Sequence, residues 1–177
     1  MTRIDIVPEN SLPATLLSEI FDRYHQVFVR ESATAEHWIE HPEHRLLVYD
    51  DSGQWLCTLE IHQRTIRVGG VEIQVGGIGG VLTLPAYRGQ GYAERAMRRA
   101  VLFIRDELHL PFGILFCFPA LADYYERLGW QRVTADPVYR DRSGAMRTFT
   151  DDMGTMFFET GSAGFPPGLV DLNGHPW

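Results

Sequence analysis

Cysteine is scarce in this chain. The two present, Cys57 and Cys117, lie far apart with no Cys-x-x-Cys spacing. A disulfide framework or a thiolate zinc site needs more, so both are expected as reduced core thiols. Long apolar runs are also missing. No stretch approaches the roughly 18 residues of a membrane span, and Met1-Thr2-Arg3-Ile4-Asp5 has no signal-peptide apolar core. These absences predict a soluble, cytoplasmic protein with no membrane partner. Positive charge is in deficit, with 16 Lys and Arg against 23 Asp and Glu and a net charge of −7. That balance opposes a nucleic-acid partner and suits a small cationic substrate. Neither the Gly-Lys-Ser/Thr loop of nucleotide triphosphatases nor the Gly-x-Gly-x-x-Gly of dinucleotide folds occurs. No internal repeat or low-complexity tract appears. At 177 residues and 45% hydrophobic, the chain reads as one domain, 1–177, with enough length to bury a core.

What is present centres on Arg88-Gly89-Gln90-Gly91-Tyr92-Ala93. It follows the apolar run Val81-Leu82-Thr83-Leu84-Pro85 and precedes an amphipathic stretch. Ala93, Ala96, Met97, Ala100, Val101, Ile104 and Leu108 recur at helical period, with Glu94, Arg95, Arg98, Arg99, Arg105 and Asp106 on the other side. A strand, a glycine turn and a helix start present free N–H groups and a helix dipole to a diphosphate. Gly89 and Gly91 allow close main-chain approach. A phosphate cradle without either nucleotide signature suggests coenzyme A.

The remaining pattern predicts a strand at Arg3 to Val7 and a helix through Leu16, Leu17, Ile20, Phe21, Tyr24, Val27 and Phe28. A helical turn is expected over Glu36 to Ile39. Strands at Leu46 to Tyr49 and Gln54 to Val68 join at Asp51-Ser52-Gly53, and Gly69-Gly70 leads into Val71 through Leu84. After the long helix come a strand at Ile114 to Phe118, a helix at Ala120 to Leu128, and strands near Trp130 to Thr134 and Thr155 to Glu159. The order β, α, antiparallel meander, α, β, α, β predicts an α/β (α+β) fold, a mixed, mostly antiparallel central sheet flanked by helices. The Gly- and Pro-rich tail, 161–177, reads as an extension and not a second domain.

Two landmarks then give a family resemblance. Arg88, Gly91 and Ala93 meet the Gln/Arg-x-x-Gly-x-Gly/Ala signature of the GNAT superfamily of N-acetyltransferases. Ala122-Asp123-Tyr124-Tyr125-Glu126-Arg127-Leu128-Gly129-Trp130 resembles its Tyr-x-x-x-Gly-Phe/Trp helix end. The resemblance implies acetyl-CoA as cosubstrate, with no metal. It places the diphosphate on Arg88, Gly89, Gln90, Gly91, Tyr92 and Ala93. Gly76-Gly77-Ile78-Gly79-Gly80 would lie in the central strand, where it parts from its neighbour, and Val81, Leu82 and Thr83 would pair with the pantetheine arm. Tyr125 is implied as the general acid that protonates the departing thiolate. A core aromatic with a wet hydroxyl is the plainer reading, and it fits Tyr124 better.

The chain also resembles the aminoglycoside 2′-N-acetyltransferase branch, through Ile61-His62-Gln63-Arg64, Val75-Gly76, Asp151-Asp152-Met153-Gly154 and Gly174-His175-Pro176-Trp177. That branch folds its tail back to line the sugar site. The resemblance implies Asp152, Asp171, His175 and Trp177 at the acceptor, and a resistance-type activity; loss of Asp171 to Trp177 is expected to leave folding nearly intact. Two positions depart. The branch's proposed base, a Glu, is Gly79 here, and its tail Asp two places before the Trp is His175. Glu60 and His62 alternate onto one face of a strand and are the replacement candidates, imidazole being the group suited to proton transfer near neutral pH. The alternative is a solvated Glu60 and a satisfied, partly buried His62. His37, His41 and His44 are divided by Pro42 and read as solvated surface, not a metal site. The expected function is acetyl transfer to a cationic amine. A polyamine or peptide acceptor, a non-catalytic acetyl-CoA-binding module and a homodimer remain open.

Overall fold

A long central hairpin organises the molecule. The computed structural model describes residues 2–28, 41–134, 136–141, 143–148 and 153–177. Along the chain lie β1 (Arg3–Pro8), α1 (Ala14–Phe28), β2 (His44–Tyr49), β3 (Trp55–Val68), β4 (Val71–Thr83), α2 (Tyr92–Asp106), β5 (Phe112–Cys117), α3 (Pro119–Arg127), β6 (Gln131–Arg132), β7 (Val138–Arg140), β8 (Met146–Thr148), β9 (Gly154–Glu159) and β10 (Val170–Asp171). All strands belong to one sheet, ordered β6-β9-β5-β4-β3-β10-β7-β8, and β2 also lies on β3, bridging it to β1. The pairs β4–β5 and β10–β7 are parallel and the others antiparallel. This is the expected mixed α/β architecture. The Glu36–Ile39 turn lies outside the described residues. Among the described residues no helix is long and apolar enough to cross a membrane.

Alternation along β3 sorts the two faces of the sheet. Odd positions Cys57, Leu59 and Ile61 join Ile78, Ala96, Met97, Ala100 and Ile104 in the core beneath α2. Even positions face the other side. There α1 covers Leu47 and Leu82 with Ile20, joined by Trp55, which lies beyond the irregularity in the β2–β3 register where the alternation breaks, and the tail covers Ile66, Val68, Val75 and Ile114 with Val170, Leu172 and Trp177. Between these two apolar patches lie Arg45, Glu60 and His62. The central strand is thin where both faces close in. A Cβ on Gly76 would meet Ile104 of α2 at 2.6 Å, and one on Gly77 would meet the Trp177 indole at 2.3 Å.

Three strands were not expected. β7 and β8 form a hairpin whose turn is held by the Asp141 carboxylate, which accepts from Ser143 and Ala145 N–H. β10 pairs with Val68 and Arg67 of β3 and with Val138 of β7. Two- and three-residue strands are too short to leave a periodic signal. β10 also revises the picture of the tail as an extension: Val170, Leu172 and Trp177 are buried in the core, and β10 pairs into the sheet.

Candidate active site

β4 and β5 run together for four pairs, Val75↔Phe112 to Ile78↔Leu115. Beyond them they part: Phe116 and Cys117 continue with β9, while Gly79 to Thr83 continue with β3. A bulge marks the parting point. Thr58 pairs with Leu82 and Glu60 with Gly79, so Gly80 and Val81 together face Leu59. Gly80 takes φ +53, a left-handed conformation suited to glycine. One edge of the Gly79–Thr83 main chain thus has no neighbouring strand among the described residues, as a docked extended arm requires.

The strand then runs into the glycine turn. Gly91 caps α2 at φ +78, and no side chain caps the helix start. Arg95 N–H is bonded to Gly91 O, so the N–H groups of the preceding turn have no helical acceptor. Nothing lies within 4 Å of where a Cβ on Gly89 or Gly91 would stand, leaving room for an anion. Exposed Arg88 donates its Nε to Thr83 O at 3.2 Å, tying the turn to the end of β4. The Gln90 amide bonds Ala86 O, Tyr92 packs edge-on to Tyr87, and Ala93 rests against the core. Open donors, a helix dipole and an arginine fit the diphosphate of coenzyme A.

α3 carries the two tyrosines. Tyr125 is in the core under α2, edge-on to Trp130, and burial pushes its phenol well above the usual range, so it keeps its proton at neutral pH. Tyr124 is half-buried with its hydroxyl unpartnered. This reverses the expected contrast, because the deeper ring is Tyr125. Cys57 and Cys117 are free and buried, each pushed up to about 11 by burial, consistent with the expected unreactive core thiols.

On the opposite face, Glu60 and His62 do come together: His62 Nε2 is 3.6 Å from Glu60 Oε2. That is longer than a good hydrogen bond, and Nε2 is buried without a hydrogen-bond partner. Burial pushes the Glu60 carboxyl up, but His62 and Arg45 outweigh it and hold it below the usual carboxylate range. An ideal Cβ on Gly79 would lie 3.3 Å from Glu60 Oε2, so the Glu60 carboxylate from the neighbouring strand stands beside Gly79.

Trp177 completes this face. Its ring sits 5.8 Å from His62 and 5.2 Å from Phe116, with the Arg64 guanidinium 4.9 Å from the indole. Arg64 Nη1 also donates to His175 O, which fastens the tail. Trp177 is buried and its Nε1 has no partner. Asp171 is not brought here. It pairs with Arg67 of β3, an odd position on the face away from Glu60 and His62, and its carboxylate accepts from Asn173 N–H. Asp152 lies outside the described residues, as does His37. His41 contacts Glu9, and His44 packs on Phe103 of α2, so these two histidines sit on opposite sides of the sheet.

Sequence reasoning passed over Arg45, Glu9, Tyr24 and Arg64. Arg45 is fully buried. It donates to Glu9 Oε2 at 2.8 Å, to Tyr24 Oη at 2.9 Å and to Glu60 Oε1 at 3.0 Å. A lone arginine heading the apolar run Leu46-Leu47-Val48 was its only signal.

Parted central strands, a glycine turn at a helix start and helices on both faces define an acyl-CoA N-acyltransferase fold. The model of the acetyltransferase (GNAT) domain matches residues 11–133, more than half of the chain, and the protein belongs to that family. Similar solved structures include an acyl-CoA N-acyltransferase from Pseudomonas aeruginosa, 21% identical, covering 89% of this chain and 99% of that one at TM-score 0.64. ElaA from Escherichia coli is 16% identical, covering 90% and 100% at 0.65. The GNAT protein YhbS from Escherichia coli, solved in complex with CoA, is 19% identical, covering 98% and 91% at 0.64. At these identities the likeness speaks for the fold. No curated protein matches the chain in sequence.

Proposed function

We propose that this chain transfers an acetyl group from acetyl-CoA to the amine of a small cationic acceptor, with aminoglycosides as the acceptor class to test first. One observation carries the reading: Glu60 and His62 meet Trp177 on the face of β4 where it leaves β5, so an anion and an unpartnered imidazole stand beside the gap a thioester would enter.

When bound, acetyl-CoA supplies the thioester. The turn from Arg88 to Ala93 holds its diphosphate, and the main chain of Val81, Leu82 and Thr83 holds its pantetheine arm. Glu60 holds the cationic acceptor in place, and the acceptor's reacting amine enters as the neutral free base. Held below the usual range, Glu60 is a weak base at neutral pH and stays an anion beside His62. His62 Nε2 takes the proton from the amine as nitrogen bonds to the acetyl carbon. N–H groups near Leu82 polarise the carbonyl. As the carbon–sulfur bond breaks, Tyr125 gives its proton to the sulfur.

One observation favours a second acceptor class. Asp171, assigned to a polycationic acceptor, is turned away from Glu60 and His62, which suits a polyamine or a simpler amine. A thiol-release screen with acetyl-CoA against aminoglycosides, polyamines and peptides tests both. Turnover of an aminoglycoside supports the first class and turnover of polyamines alone supports the second. Coenzyme A binding with no turnover of any amine would overturn the enzymatic reading.

A further inference from the structure

We infer that Tyr24 and Arg45 are positioning residues that lock the Gly80 bulge and the Glu60 carboxylate into one register. The cofactor side and the acceptor side of the gap are then set by a buried guanidinium and the half-buried phenol it bonds. The inference rests on the proposed acetyl transfer for its kinetic consequences, while its structural content stands on the contacts.

Donor and acceptor chemistry settles the direction of the chain of bonds. An arginine can only donate, so Tyr24 Oη must accept from Arg45 Nη1. The phenolic hydroxyl donates to Gly80 O at 2.6 Å. Tyr24 comes from α1 and Gly80 from β4, so this bond pins the helix to the bulge. Gly80 is needed twice here. It takes φ +53, and a Cβ would come within 2.6 Å of Tyr24 Oη and 2.9 Å of Glu60 Cδ.

The same guanidinium reaches Glu60. Arg45 pairs with Glu60 across β2 and β3, and Glu60 pairs with Gly79 across β3 and β4, so the three stand in line across the sheet. Arg45 also bonds buried Glu9 just after β1. Two carboxylates thus share one guanidinium, and the surplus negative charge faces the gap at Glu60. The bulge directs the Val81–Thr83 main chain, which the proposed function assigns to the pantetheine arm. Glu60 faces the amine. A shift in the Tyr24–Arg45 pair therefore moves both partners of the reaction relative to each other, a displacement to which acyl transfer is sensitive.

Tyr24→Phe tests this, because the ring stays in its apolar cluster and only the hydroxyl is lost. With 15N-labelled protein without ligand, the amide resonances of Gly80 to Thr83 should move while those of β1 and β9 stay. The kcat for the best amine should fall about tenfold, the scale of one lost hydrogen bond. Coenzyme A affinity by calorimetry should change less than about twofold, since the glycine turn is untouched. Combining Tyr24→Phe with Gly80→Ala should cost no more kcat than the worse single variant, as expected of residues acting through one contact. Unmoved amide resonances in Tyr24→Phe overturn the inference whatever the activity, and so does strict additivity in the double variant. Moved resonances in a protein that binds coenzyme A but acetylates nothing uphold the positioning and overturn the acetyl-transfer reading instead.

Discussion

Gly77→Ala should drive Trp177 off the sheet. The added methyl would stand 2.3 Å from Cε2, 2.6 Å from Cζ2 and 2.7 Å from Nε1 of the indole. Ordinary contact begins at 3.4 Å, so the ring must retreat by 3.4 − 2.3 = 1.1 Å or the strand must bend. Bending is closed off from behind, because the adjacent Gly76 has Ile104 of α2 within 2.6 Å of its own would-be Cβ. Undocking of the ring caps the cost. Exposing about 200 Å² of tryptophan at about 25 cal/mol/Å² costs about 5 kcal/mol. Against this, released side-chain motion returns about 1 kcal/mol, and the Nε1–H, unpartnered in the fold, regains water for about 1.5 kcal/mol. A net loss of about 2.5 kcal/mol follows, which for a chain of this size lowers Tm by roughly 5–10 °C. Urea unfolding would measure it, alongside a red shift in native tryptophan emission, with Trp177→Phe isolating that ring's share. If Trp177 walls the acceptor site, the KM for the amine should rise while coenzyme A affinity holds. A variant with wild-type midpoint and unshifted emission would refute the packing argument.

Three further outcomes are expected. Gly91→Asp should abolish coenzyme A binding in calorimetry, because it sets a negative charge at the helix start and strains a residue at φ +78; unchanged affinity would remove the turn from the cofactor site. Tyr125→Phe should lower kcat by about 10² or more with little change in acetyl-CoA affinity, whereas the same change at Tyr124 should not; the reverse order would transfer the acid role to Tyr124, whose hydroxyl is buried without a partner. Glu60→Gln should lower kcat/KM by about 10² or more, in the range for a group assisting proton transfer. It should also flatten the acid side of the stability profile. The folded Glu60 carboxyl titrates below its unfolded value, so its stabilisation is present above the ordinary carboxylate range and is lost as pH falls through the folded value. Urea midpoints at falling pH for both proteins would check the sign.

How much was legible differed by the range of the cause. The glycine turn, the amphipathic α2 and the β3–β4 hairpin were readable because each is a local matter, of period, turn chemistry and helix start, within some fifteen residues of chain. The turn's likeness to a coenzyme A cradle followed from residues already adjacent in sequence. The face shared by Glu60 and His62 was readable for the same reason, since two residues apart in a strand point the same way. What stands around that face was not. Arg45, Glu9 and Tyr24 come from β2, the turn after β1 and α1, and nothing in their own neighbourhoods distinguishes them from a strand-end arginine, a surface glutamate and an amphipathic-helix tyrosine. Only closure of the sheet, with Arg45 opposite Glu60 and Glu60 opposite Gly79, makes them one buried cluster. The same closure brought a carboxylate to Gly79 from the next strand, turned Asp171 to the far face, and made the tail core through Trp177 lying on Gly77. Sequence alone thus determined the longer elements and the glycine turn, which local backbone and side-chain period control. Tertiary structure decided the short strands β7, β8 and β10 and the surroundings of Glu60 and His62, because cross-strand register and the burial of charge depend on partners far away in the chain.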